Sequence, residues 1–327
     1  MIRYSDARLR FVAVLCMLAP CTQAPAVEFF PLQQVRLLES PFSEAQDRDI
    51  AYLMSMDVDR LLAPYLDEAG LQTRAPRYGN WESSGLGGHV GGHYLSALSL
   101  AWAATGRQPV GDRLDYMLAE LRRAQQAHGN GSLGGVPNGD ELWASIADGD
   151  IRANLFSLND SWVPWYNLHK VFAGLRDAWI HAGREDARDM LVELADWLAK
   201  LVEGLNDEQL QAMLNAEHGG MNEVLADVAD ITDDHRYLRL AKRFSHRQLL
   251  DPLLRGEDRL TGMHANTQIP KVVGFERIAQ LDRESAWHAA AEFFWDTVVS
   301  ERSGAIGGHS TREHFHPRDD FSSMMCL

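Results

Sequence analysis

The densest concentration of titratable side chains in this sequence is GGHSTREHFHPRDD, residues 307–320, which carries His309, Glu313, His314 and His316, with Asp319 and Asp320 close behind. The segment is Gly-rich and has no helical period, so it reads as a functional loop. A glutamic acid among imidazoles suits general acid chemistry, provided a pocket of aromatic rings and helix ends desolvates Glu313 and raises its pKa. His314 and His316 alternate as on an extended strand and share a face, the beginning of a metal site, but His-x-His without a firm third ligand is a weak signal.

Similar residues recur at the start of four earlier segments: His89 and His93; Trp165, Tyr166 and His169; Glu217, His218 and Glu223; and His264 with Asn266. Taken singly, each histidine reads as a cap or a hydrogen-bonded core residue. Glu223 has its own bland reading, because an acidic side chain near a helix N-terminus stabilises the dipole. The repeated placement is what points to function. Trp81, Trp143, Trp162 and Trp165 lie in or beside irregular stretches, where they either stack on sugar rings or fill the core.

Helical spacing dominates the elements that must position these residues, and no βαβ alternation is evident. Segments at approximately 43–65, 89–105, 111–127, 164–182, 186–203, 219–231, 235–250, 266–281 and 284–300 carry it. Four of them, HVGGHYLSALSLAWAATG, WYNLHKVFAGLRDAWIHAG, HGGMNEVLADVADITDD and HANTQIPKVVGFERIAQLD, open with polar residues, are apolar on several faces and close in a turn. A more amphipathic helix follows each one, as expected of an inner helix paired with an outer one. Turns at Gly183, Asp233 and Asp282 recur about every fifty residues. Residues 128–163, rich in Gly, Asn, Asp and Trp, interrupt the series as a long loop of the kind that is usually functional. The predicted fold is all-α, an (α/α)6-toroid of helical hairpins rather than an open solenoid. It is expected to be incomplete, with about nine of the twelve helices. If the inner helices run parallel, their N-termini gather at one mouth whose free N–H groups suit hydroxyl-rich ligands.

Composition narrows the function. A formal net charge of −15 argues against nucleic acid and anionic membranes as partners. The N-terminus has Arg3, Arg8 and Arg10, an apolar run from Phe11 to Leu18, and Ala24-Pro25-Ala26. This predicts a signal peptide over 1–26 and an exported catalytic region over 27–327, with no membrane association after cleavage. Leu18-Ala19-Pro20-Cys21 is a rival lipoprotein site, disfavoured by its proline. Cys16 and Cys21 leave with the leader, so Cys326 remains alone and no internal disulfide is expected.

GHVGGHYLSAL, WYNLHKVFAGLRDA, EHGGMNEVLADV, HANTQIPK and GGHSTREHF, in that order from about residue 30 to 323, resemble the β-L-arabinofuranosidase group, glycoside hydrolase family 127 and its close relatives. The resemblance implies an (α/α)6 barrel followed by β-sandwich domains, and a retaining glycosidase acting on terminal L-arabinofuranosyl or related residues of plant glycans. It implies a cysteine nucleophile held with a glutamate and further cysteines around zinc, and it makes Glu313 the acid/base. His89 or His93, His169 and His264 match positions that line the family's sugar pocket, and Glu223 and Trp81 join them as substrate-binding candidates on their placement alone. The family's Glu-x-Cys segment, nucleophile loop and β-domains have no match here, and FSSMMCL reads as the junction of a truncated or frame-shifted frame. The expectation is therefore no metal ligands and no turnover by this chain alone, with zinc needed only by the full-length family. Two rival readings stand beside it: a non-catalytic sugar-binding helical protein, and another toroid enzyme such as an epimerase or polysaccharide lyase. Oligomeric state is not readable from the residues.

Overall fold

Inner helices that are apolar on several faces need small residues wherever their backbones meet, and glycine supplies them here. The computed structural model describes residues 29–322; the leader with Cys16 and Cys21, the rival lipoprotein site and Cys326 lie outside the described residues. From Leu32 onward the described residues form one compact unit.

Thirteen α-helices occur among the described residues. They are α1 (Pro41–Ser55), α2 (Val58–Glu68), α3 (His89–Thr105), α4 (Gln108–His128), α5 (Gly139–Ala147), α6 (Pro164–Ile180), α7 (Glu185–Leu201), α8 (Asp207–Met213), α9 (Met221–Thr232), α10 (His235–Arg243), α11 (Arg247–Leu254), α12 (Ala265–Asp282) and α13 (Ser285–Asp296). The expectation of about nine helices is corrected for local reasons. The segment at 43–65 breaks where Asp57 caps α2, its carboxylate accepting from the Asp59 amide at 3.0 Å. The segment at 235–250 breaks at Phe244–His246, giving α10 and α11. Two short helices lie outside the segments expected from spacing: α5, inside the supposed irregular insertion, and α8, started by an Asn206–Gln209 capping box.

Helices α3, α6, α9 and α12 pack side by side in that order, each with its outer partner α4, α7, α10 or α13 behind it. This is the all-α toroidal arrangement of hairpins. The inner helices are parallel because their contacts advance together. Gly92 in α3 meets Lys170 in α6, and Gly174 meets Leu95. Likewise Asn222 in α9 meets Gly274 in α12, and Asp227 meets Arg277. A Cβ on Gly92 would stand 2.3 Å from the Lys170 carbonyl carbon, so only glycine permits this backbone approach.

The insertion after α4 carries three short antiparallel strands, β1 (Ala153–Asn154), β2 (Ser157–Leu158) and β3 (Ser161–Trp162). A second hairpin, β4 (Ser310–Thr311) with β5 (His314–Phe315), lies near the end of the described residues. Phe315 is buried with Leu249, Leu260, Phe275 and Phe294 in a cluster around α11–α13, which anchors that hairpin. No helix among the described residues is long and apolar enough to cross a membrane.

Candidate active site

The glutamate of the terminal loop reaches its place through a strained turn. Arg312 and Glu313 link β4 to β5 with φ of 46° and 68°, left-handed values that hairpin turns normally assign to Asn or Gly. Non-glycine residues persist there when the surroundings over-determine them. Here Phe315 is sunk in the core, and its amide donates to Met263 O at 2.9 Å. The Ala265 amide donates to Glu313 O at 2.7 Å, and buried Arg302 binds both the His316 carbonyl and Asp258. The terminal hairpin is thus stapled to the start of α12.

The result is a contact between two residues 49 positions apart: Glu313 Oε2 lies 3.1 Å from His264 Nε2. His264 is buried, whereas the Glu313 side chain is 67% exposed. Thr267 Oγ1 lies 2.7 Å from His264 Nδ1. With Nε2 donating to the carboxylate, Nδ1 accepts from the Thr267 hydroxyl, which fixes both ring and tautomer.

Glu217 stands at the same place. Its amide donates to Leu155 O of the insertion at 2.9 Å, so β1–β3 help to hold it. Burial raises its pKa, opposed by the charges of His264, Lys170 and Lys271 and reinforced by Glu313. Lys170 in turn has its pKa lowered by burial, against the pull of Glu217 and Glu223. Its ammonium lies 3.2 Å from His169 Nδ1 and 4.2 Å from the Tyr166 ring centroid. Lys271 is more enclosed: burial, opposed by Glu217, brings it to about 7. Its Nζ donates to Gln268 Oε1 at 3.1 Å and His246 Nδ1 at 3.0 Å, beside a cavity of about 280 Å³ that His264 also lines.

The other expected residues divide. His169 is buried and held well below its ordinary pKa by burial, with Lys170, Arg176 and His93 adding repulsion. Gly219 and Gly220 press against its ring, and Gly220 also borders Glu223. His93 is open to solvent on α3, yet the surrounding protein, Lys170 and His89 bring its pKa to about 4. His93, His169, His264 and Glu313 are therefore linked, directly or through Lys170 and Glu217, at the leading ends of the inner helices. Glu223 is tied to Arg176 at 3.2 Å; Arg176 also meets Asp227 at 2.8 Å, and Arg277 meets Asp227 at 2.6 Å, a chain of ion pairs crossing α6, α9 and α12.

His89 serves a different purpose. Its Nδ1 lies 2.8 Å from buried Glu82, whose oxygens also accept from the Gly88 and Val90 amides at 2.8 and 2.9 Å. Against burial, which would raise it, these hydrogen bonds hold the Glu82 pKa below its usual range. Glu82 and His89 together start α3. Trp81 leans on His89 and Trp162, with ring centroids 6.3 and 6.1 Å away.

Packing decides between core and site for the residues that remain. Trp165 is fully buried between Trp143 and Phe244, so it belongs to the core. His316 is buried against the carbonyls of Arg302 and Pro317 at 2.9 and 2.7 Å and presents no ring nitrogen to a metal. His218 is buried with Nδ1 on Ala216 O at 2.9 Å. Lys170 and Lys271 join the site although the sequence singles out neither, even within WYNLHKVFAGLRDA and HANTQIPK. The available signal was spacing: Lys271 follows His264 by two helical turns on the same face.

The model of the β-L-arabinofuranosidase, GH127 catalytic domain family matches residues 34–326. Two solved structures resemble the chain in fold. A GH127 β-L-arabinofuranosidase from Geobacillus stearothermophilus T6, Ara127N-Se, aligns at TM-score 0.59 with 14% identity, over 86% of this chain and 47% of that one. The GH127 β-arabinofuranosidase BT3674 aligns at TM-score 0.58 with 15% identity, over 88% and 46%. The chain thus spans about half the length of these solved relatives. No curated protein matches.

Proposed function

The chain belongs to the GH127 β-L-arabinofuranosidase catalytic-domain family, and from that membership we propose that it is exported and that its mouth receives a terminal L-arabinofuranosyl residue of a plant-derived glycan, with Glu313 as the proton donor. The supporting observation is the 3.1 Å contact between Glu313 and His264 at the leading end of α12. Glu313 is exposed enough to meet a glycosidic oxygen, and the neutral rings of His93 and His169 offer hydrogen bonds to sugar hydroxyls without imposing charge. In a retaining reaction the same carboxyl protonates the departing oxygen and then, as carboxylate, takes a proton from the incoming water.

The nucleophile is the part that does not fit. Zinc held by thiolates needs cysteines, but no cysteine occurs among the described residues, and no group of three or more His, Cys, Asp or Glu there is placed to hold a metal ion. No step through zinc follows from these residues. They supply sugar binding and the acid/base, and in this reading the nucleophile comes from elsewhere.

Saturation-transfer NMR with methyl β-L-arabinofuranoside tests the binding, and a p-nitrophenyl β-L-arabinofuranoside assay tests the chemistry. Binding that His264→Ala weakens, without nitrophenol release, is the expected result. Absence of binding overturns the sugar reading. Zinc-independent release abolished by Glu313→Gln overturns the division of the site.

A further inference from the structure

An inner helix of a toroid has two sides, and the later side of α3, α6 and α9 is taken in turn by the next inner helix. The corresponding side of α12 is different: among the described residues, a cleft of about 560 Å³ opens there between α12 and α13. Ile269 and Val273 from α12 and Ala291, Phe294 and Trp295 from α13 form its apolar part. Val273 is 49% exposed and Trp295 66% exposed, and exposed Val299 carries the stripe one turn beyond Trp295. Apolar side chains gathered in this way on a surface mark a place where another body docks. Glu223, which bounds the cleft on the side of α9, is already held by Arg176 at 3.2 Å.

The face is divided along its length. Joined only by Arg283 and Glu284 and packed together, α12 and α13 run in opposite directions, so the first half of α12 lies beside the last half of α13. Ile269, Val273 and Trp295 therefore fall at one end of the cleft, and Glu276, Gln280, His288 and Glu292 at the other. At that polar end Glu276 Oε2 lies 2.8 Å from His288 Nδ1, while Arg277 is committed to Asp227 and Asp230 of its own chain. A face so divided is complementary to itself under one operation. A two-fold axis running along the helices lays α12 of each copy on α13 of the other, apolar end on apolar end. Each Trp295 ring then covers Ile269 and Val273 of the other copy, and each His288 faces the carboxylate of Glu276 and the amide of Gln280. An axis across the helices would instead set the apolar ends on acids. An anionic membrane is a poor cover for this face, because the chain carries a net charge of −15. We propose that the α12–α13 face is where two copies of this chain associate, as an isologous dimer. The inference does not depend on the sugar reading of the mouth.

Sedimentation velocity of the full chain from about 1 to about 100 μM is the test, because association follows mass action. A monomer–dimer equilibrium is expected in that range. Val273→Glu and Trp295→Ser should each raise its dissociation constant at least about tenfold, as for apolar groups at the centre of an interface. Both side chains are exposed in a single copy, so circular dichroism melts of the variants at the lowest concentration should match the parent. Ile180→Glu, an equally exposed apolar position at the end of α6, is the control and should associate like the parent. The orientation has its own readout: mixed together, His288→Glu and Gln280→Lys copies should form the mixed dimer in preference to either self-dimer in native mass spectrometry. A monomer at every concentration, growth beyond the dimer, association that survives Val273→Glu and Trp295→Ser, equal loss in Ile180→Glu, or statistical mixing of the charge variants overturns the proposal.

Discussion

Replacing Lys271 with methionine should make the protein more stable at neutral pH, against the usual direction of a core substitution. Lys271 is 2% exposed, and its ammonium is brought by burial, opposed by Glu217, from the ordinary lysine value of 10.5 to about 7. The native state therefore binds fewer protons than the unfolded chain between pH 7 and pH 10.5. Below pH 7 both states carry the charge and the penalty is fully present; above 10.5 neither does and it is gone. That interval corresponds to at most about 5 kcal/mol. Methionine fills a similar volume and cannot be charged, but it strands His246 Nδ1 and Gln268 Oε1, at about 1 kcal/mol each. The balance is a gain of about 2–3 kcal/mol near pH 6.5, turning into a loss of about 1 kcal/mol near pH 10. Urea unfolding of both proteins at several pH values measures it, with the unchanged slope in denaturant checking that the unfolded state is the same. His246 is the neighbour whose titration could intrude, but its own pKa is brought to about 3 by burial and by Lys271, well below this window. Destabilisation by the same amount at every pH would refute the argument, because it would mean that Lys271 is charged and satisfied in the folded protein.

Gly92→Ala should lower stability by about 1–3 kcal/mol despite alanine's better helix propensity, since its Cβ would need the α3 and α6 backbones to part. Gly204→Ala, whose Cβ would come no nearer than 3.9 Å to the Ala147 carbonyl oxygen, should be nearly neutral in the same thermal melt. Arg176→Met removes the shared partner of Glu223 and Asp227, both largely enclosed, and should cost about 3 kcal/mol in urea unfolding, more at pH 8 than at pH 4. The direction follows because burial, with Asp227 and Asp177 adding to it, already raises the Glu223 pKa against the opposing charge of Arg176, and losing that charge raises it further. Phe315→Ala should free the terminal hairpin, which faster amide exchange at Ala265 would report.

The recurring helical hairpins were legible because each inner segment announces itself by small and apolar residues on several faces, and each outer one by a stripe. The gathering of His169, His264 and Glu313 was legible too, once the inner helices were taken as parallel. What escaped detection depended on partners distant in sequence. His89 looks like another mouth histidine until Glu82 is seen beneath it, and Trp165 looks like a sugar platform until Phe244 and Trp143 close over it. Neither pairing has a spacing that a sequence displays. The breaks at Asp57 and Phe244 escaped for the opposite reason: they are local, but the apolar period continues across them. The turn at Arg312–Glu313 was invisible because its residues contradict ordinary turn preferences, and only the ladder to Met263 and the burial of Phe315 impose it.

The same burial that hides these pairings sets the electrical character of the mouth. His93 at about 4, His169 well below its ordinary value and Lys271 at about 7 are all bases driven toward their neutral forms by loss of water, while Glu217 is an acid driven the same way. The two imidazoles so neutralised present hydrogen-bond donors and acceptors to a ligand without adding charge of their own. Glu313 differs in being exposed at the rim beside the His264 imidazole, so the enclosing pocket of rings and helix ends that would desolvate an acid does not surround it, and a ligand seated there would have to supply that cover.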